Sequence, residues 1–297
     1  MPDAQARRAT GLLLALGGAT AFSAKAIIVK LAYRHGVDAV TLIMLRMLLA
    51  LPLFLALTWW AGRGREPLTG RDWRVVCGLG FCGYYLASFL DFAGLQYISA
   101  SLERLILYLN PTLVMLLGWL LFKRRVSRRQ LAAFAISYVG ILVVFGAELR
   151  LEGRDVVLGA ALVFGSALSY AVYLLYSGQE VQRLGSLRLT GLATSLACVL
   201  CILQYLLLRP VGTALALPVE VWGLSVLNAV ACTFAPVLMI MMAIERVGAS
   251  VASQAGMVGP VFTILMGVLL LGEPFTAWVA AGTVLVLAGV ALLARVR

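Results

Sequence analysis

Six charged residues stand inside long apolar stretches: Lys25, Lys30, Arg46, Asp91, Glu103 and Arg104. A charge held away from water is costly, so each is a functional candidate by default, as an ion pair, a gate or a substrate contact. Lys25 and Asp91 lie deepest, and a pair between them would serve as a gate. Lys30, Glu103 and Arg104 fall nearer a membrane surface, where a snorkelling lysine and two solvated charges are the expected arrangement. Enzyme chemistry has little to draw on. The single histidine, His35, falls between apolar stretches, and there is no His-x-x-x-His or Gly-x-Ser-x-Gly pattern to supply a metal site or a nucleophile. The five cysteines, Cys77, Cys82, Cys198, Cys201 and Cys232, all sit in apolar segments. Cys198 and Cys201 lack neighbouring His or carboxylate ligands, so packing is expected, with no metal and no cofactor.

Uncharged polar groups form a second set. Tyr84, Ser88 and Asp91 recur at spacings that put them on one helical face, with Tyr85 adjacent, and such a stripe suits a lumen. Ser166, Ser169, Tyr170, Tyr173 and Tyr176 make another stripe. In both, hydrogen bonding between packed helices competes with a role in binding. Pro111 and Pro260 lack the N–H that would bond the carbonyls of Leu107 and Gly256, so each is expected to kink its helix and open carbonyls to a substrate. Tyr108, Asn110, Gln254 and Met257 would then offer polar and soft apolar contacts at the same level.

The elements that must position these groups are membrane spans. Of 297 residues, 62% are apolar and only 12% charged, too apolar for a soluble fold of this length. The charges cluster between apolar runs of roughly twenty residues, the length that crosses a hydrocarbon core. The expected spans are 11–33, 39–60, 74–95, 101–122, 129–146, 157–177, 188–208, 221–244, 250–271 and 276–294. The first imitates a signal peptide but runs on to Tyr33, as a retained helix would. With both termini inside, sixteen Lys and Arg fall in cytoplasmic segments, while only Arg34, Arg150, Arg154 and Arg209 fall outside. Trp59, Trp60, Trp73, Trp222 and Trp278 sit at span ends as interfacial anchors. The net charge of +11 is therefore a topology signal, and no nucleic-acid partner is expected.

A shift of 149 residues superimposes Trp73 on Trp222, Ala100-Ser101 on Ala249-Ser250, Pro111 on Pro260, Gly118 on Gly267 and Gly140 on Gly289. The expected layout is two repeats, residues 1–147 and 148–297, of five spans each. An odd number of spans inverts the second copy. The charges agree, since the basic loop Lys123, Arg124, Arg125, Arg128 and Arg129 maps onto Gly272, Glu273, Pro274, Ala277 and Trp278. The fold class is thus an all-α integral membrane protein of ten helices in two inverted five-helix repeats around a central cavity.

Leu271-Gly272-Glu273-Pro274-Phe275-Thr276, followed by Gly282 and Gly289 and preceded by Pro260, resembles the EamA-type repeat of the drug/metabolite transporter superfamily. Its counterpart in the first half, Lys123-Arg124-Arg125, departs from that signature. Within the superfamily the chain is most similar to the YddG-type amino-acid exporters. The resemblance implies a pathway between two halves that alternate access across the cytoplasmic membrane, carrying amino acids or similar metabolites. The substrate-binding set is then Tyr84, Tyr85, Ser88, Tyr108, Asn110, Tyr170, Tyr173, Gln254 and Met257, and the gating set Lys25, Asp91, Pro111 and Pro260. The first span has no acidic residue, unlike the small proton-coupled multidrug antiporters, so facilitated movement is the simpler mechanism. A Tyr-lined chamber would tolerate many side chains. A nucleotide-sugar or sugar-phosphate carrier should instead gather basic residues in a deep pocket, and a membrane-embedded enzyme would need groups the chain lacks. Lipid and a small molecule are the expected partners; the oligomeric state is open, a monomer included.

Overall fold

The computed structural model describes residues 2–123, 127–247 and 258–295, and every regular element among them is helical. The helices are α1 (Pro2–Tyr33), α2 (Ala39–Gly62), α3 (Gly70–Gly80, Phe81–Leu86 and Ala87–Gly94 in succession), α4 (Ala100–Leu107), α5 (Asn110–Phe122) and α6 (Arg128–Glu152). They continue as α7 (Asp155–Leu184), α8 (Ser186–Leu208), the short α9 (Val211–Leu215) and α10 (Val219–Ala229, Val230–Phe234 and Ala235–Val247). The last two are α11 (Gly259–Met266 and Gly267–Leu271) and α12 (Ala277–Arg295). Eight helical stretches among the described residues are long and apolar enough to cross a membrane, and Gly259–Leu271 and Ala277–Leu293 are shorter apolar helices.

Local chemistry sets the helix ends. Asp38 caps α2 by accepting from the amides of Val40 and Thr41, at 3.0 and 3.2 Å. Thr69 with Asp72 and Ser127 with Gln130 form reciprocal capping boxes on α3 and α6. Gly153 and Gly185, both at positive φ, stop α6 and α7. Helix α6 therefore runs past residue 147 to Glu152, and the connection to α7 is Gly153–Arg154.

Two features depart from simple spans. The first is π-helical winding: a run at Phe81–Leu86 in α3 is matched by one at Val230–Phe234 in α10, and a third at Gly267–Leu271 in α11 has no counterpart in α5. The second is a break where a continuous span 101–122 is expected. Helix α4 stops at Leu107 and α5 restarts at Asn110, with Pro111 in its first turn. Proline favours that position because it has no N–H to leave unsatisfied there. Pro260 occupies the first turn of α11 in the same way.

Elements 149 residues apart begin together: Gly70 and Val219, Phe81 and Val230, Asn110 and Gly259. Lys123, at φ 52°, is the non-glycine with positive φ among the described residues, and 149 residues on stands Gly272 at φ 73°. The most extensive helix pairings are α6 with α12, α2 with α8, α1 with α10 and α3 with α7. The α6–α12 crossing is close because glycine meets backbone: a Cβ on Gly140 would lie 2.7 Å from the Gly282 carbonyl, and one on Gly289 would lie 2.7 Å from that of Ala133. Apolar packing fills the rest, with Phe54 of α2 meeting Phe234 of α10 edge-on at 5.4 Å.

Candidate functional site

The deepest polar cluster joins α1, α3 and α4. Lys25 Nζ donates to Asp91 Oδ2 and lies 3.2 Å from Glu103 Oε1, with side-chain exposures of 7%, 4% and 0%. Burial of single charges would be prohibitive, and mutual pairing is what makes these three tolerable. Arg46 of α2 donates to Ser88 Oγ at 3.1 Å and lies over the Phe92 ring at 4.7 Å. Arg104 donates to Ser23 Oγ at 3.0 Å. Glu103 and Arg104 are thus buried, not solvated at an interface as expected: α4 begins only at Ala100, and its first turn is covered by α11 and the 271–276 segment. Lys30 is half-buried and donates to the Ile98 carbonyl at 2.6 Å.

The anticipated stripe Tyr84, Ser88, Asp91 is split. An extra residue in a helical turn rotates everything beyond it by about 100°. The π-helical run at Phe81–Leu86 does this, so Ser88 and Asp91 meet Arg46 and Lys25 whereas Tyr84 turns to α7. There the Tyr84 and Tyr173 hydroxyls stand 3.1 Å apart with ring centroids at 5.1 Å, and Tyr170 stacks on Tyr173 at 5.4 Å. Ser166 and Ser169 donate to the carbonyls of Ala87 and Cys82, at 2.7 and 2.8 Å, and so hold α7 to α3. Tyr176 is 49% exposed and packs on Phe122, and Tyr85 is half-buried beside Phe81.

At the break, the carbonyl of Leu107 that Pro111 cannot bond is not open to a substrate: Asn110 Nδ2 donates to it at 2.8 Å. Asn110 Oδ1 is buried with no hydrogen-bond partner, and Tyr108 lies 5.9 Å from the Arg104 guanidinium. Gln254 and Met257 lie outside the described residues.

Sequence reasoning missed the groups that close the end of the bundle bearing the 34–38 turn. Glu273 Oε1 accepts from Ala100 N at 2.7 Å, while its Oε2 accepts from Ser101 N at 3.3 Å and Ser101 Oγ at 2.8 Å. Its carboxylate thus occupies the N-terminus of α4, where free amides and the helix dipole favour negative charge. Ser99 donates through its amide and hydroxyl to Glu148. Arg34 donates to the Leu271 carbonyl at 2.7 Å. A cleft of about 670 Å³ opens beside this closure, lined by Lys30, Tyr33, Arg34, Asp38, Gln96 and Glu273 among others, and none of the expected substrate residues lines it. Ser99 ahead of an apolar run was the available signal for an N-cap, and two lone acids near the same membrane surface were the signal for its partners. The opposite end is tied by Arg183 to Asp72, by Arg65 to the Leu184 carbonyl at 3.0 Å and by Arg188 to the Glu66 carbonyl at 3.0 Å.

A helical bundle of apolar spans, with paired charges buried inside it and polar ties at its ends, is the architecture of a polytopic membrane protein. The EamA-like transporter family model matches residues 9–146 and again 157–295, and the chain belongs to that family. It is 31% identical over 277 residues to the uncharacterized transporter YcbK of Bacillus subtilis (strain 168), covering 89% of this chain and 86% of that protein. An uncharacterized transporter of Archaeoglobus fulgidus is 26% identical over 284 residues, 95% of this chain and 96% of its own. A solved crystal structure superimposes with a TM-score of 0.63 at 20% identity over 96% of each chain, a likeness of fold.

Proposed function

We propose that this transporter exports neutral or aromatic amino acids and related small metabolites, as the resemblance to YddG-type exporters implies. It does so by alternating access between two inverted five-helix halves, residues 1–147 and 148–297, in the cytoplasmic membrane with both termini inside. The observation that carries the mechanism is the Glu273 closure, which joins the second half to the first above a sealed layer of polar groups. Such a contact can break and re-form without unfolding either half. The inverted layout is supported by elements that begin 149 residues apart and by the helix pairings. If the first to fifth spans correspond to the sixth to tenth, a two-fold axis turns the pairing of α1 with α10 into that of α7 with α3. It also turns α2–α8 and α6–α12 into themselves, and these four are the dominant pairings. Lys25, Asp91, Pro111 and Pro260 act at the gate, and the tyrosines with Ser88, Asn110, Gln254 and Met257 meet the substrate as the halves part.

A sugar-phosphate or nucleotide-sugar cargo would call for several basic residues converging on one deep pocket, whereas Lys25 is already shared by two carboxylates and Arg46 and Arg104 bond separately to Ser88 and Ser23. Counterflow in proteoliposomes loaded with neutral amino acids, sugar phosphates or cationic drugs tests the reading. Exchange of aromatic and neutral amino acids is expected; exchange confined to another class would reject the substrate assignment while leaving the transporter.

A further inference from the structure

We infer that Arg104 receives a carboxylate of the transported molecule, so that the cargo is a small organic carboxylate. This rests on the transport reading above and narrows its substrate. Among the described residues, the charged side chains buried in the first four spans, in the half toward the 34–38 turn, are three cations, Lys25, Arg46 and Arg104, and two carboxylates, Asp91 and Glu103. Lys25 is in ion-pair contact with both carboxylates. Neither arginine has an ion-pair partner among the described residues, and an arginine cannot shed its proton to escape the cost of burial. Within this cluster the cations outnumber the carboxylates by one, and Glu148, buried on α6, bonds to Ser99 instead.

Position separates the two arginines. Arg46 projects from α2 onto α3, hydrogen-bonded to Ser88 and seated on Phe92. Arg104 stands on the last turn of α4, just before the break, where α1, α4 and α11 meet. Its guanidinium has Phe22 at 5.4 Å and Tyr108 at 5.9 Å. On another side is Gly259, whose missing side chain makes the room: a Cβ there would lie 2.7 Å from the Arg104 terminal nitrogen. Arg104 is 7% exposed, and among the described residues its Nε, like that of Arg46, has no hydrogen-bond partner. Ser23 takes one of five donors. The remaining fork suits a carboxylate, which it can hold through two parallel hydrogen bonds, and the flanking rings suit an apolar side chain. Because α11 and α4 belong to opposite halves, movement between them would expose or enclose this group.

The test is thermal unfolding of the full chain in detergent with four probes: phenylalanine, 3-phenylpropanoate and the amides of both. The two acids are expected to raise the melting temperature and the two amides to do so far less. Arg104→Gln is expected to raise the half-saturating concentration of the acids about tenfold or more, the loss of one charge-assisted contact, without changing that of the amides. Gly259→Ala, which displaces the guanidinium, is expected to act in the same direction and serves if Arg104→Gln fails to fold. Equal stabilisation by acids and amides, no stabilisation by either acid, or acid binding unchanged in the variants overturns the assignment. Stabilisation by 3-phenylpropanoate but not by phenylalanine removes the amino-acid reading and leaves Arg104 as the carboxylate receptor.

Discussion

Residues 70–123 and 219–272 follow one course wherever both are described: a helix begins, passes through a π-helical run, and a later helix opens on a proline turn and ends on a left-handed residue. Their side chains do not match. Where the first stretch has Tyr84, Ser88, Asp91, Glu103 and Arg104, the second has Thr233, Val237, Ile240, Ala252 and Ser253. These backbone devices occur twice, apart from the π-helical run at Gly267–Leu271, and the charges once. The π-helical run and the proline turn are shape requirements that both stretches meet, whereas a charge needs only one partner set, and a second copy would add cost without function. The same contrast divides the loops. Glu273 caps α4, but its counterpart Arg124 is a cation and cannot accept amide hydrogen bonds, so the carboxylate closure belongs to the 34–38 end.

The contrast can be broken first at its charges. Lys25→Ala leaves Asp91 and Glu103 buried and unpaired, at a cost of roughly 3–5 kcal/mol. A large fall in detergent melting temperature is expected, and the triple change with Asp91→Asn and Glu103→Gln should recover much of it. A single variant as stable as the parent would show that these charges are not in fact dry. The loop contrast comes next. Glu273→Gln weakens a cap worth about 1–3 kcal/mol, so a cysteine placed at Gln96 in the adjoining cleft should react severalfold faster with a polar thiol reagent. Arg124→Gln should leave that rate alone, and equal effects would erase the distinction between the loops. The smallest effect sharpens the backbone side. Lys123→Gly relieves a left-handed residue and should stabilise by up to about 1 kcal/mol, whereas Gly272→Ala should cost a similar amount. Melting curves that move together would mean that the two caps are not alike.

The places of the apolar helices were legible in the sequence, because span length is a coarse demand that almost any membrane segment must satisfy. The Lys25–Asp91 pair was legible for a related reason: two deep charges of opposite sign have few other partners. Glu103 and Arg104 were misjudged because depth was counted along one helix, and cover from α11 lies far along the chain. The turn of Tyr84 away from Asp91 was hidden by the π-helical run, which no residue type announces in α3. Asn110 carries a similar lesson: its pairing with the Leu107 carbonyl depends on the break, and the break shows in the sequence only as a proline.

The π-helical runs at 81 and 230 also keep time. Substitution can recolour a helix completely, but a residue inserted into a helical turn is hard to remove without resetting every contact beyond it. If the doubling proposed for this chain holds, a π-helical turn at the same place in both stretches came before it. A single-repeat ancestor would then have carried it already, in a molecule that had to assemble from two oppositely inserted copies.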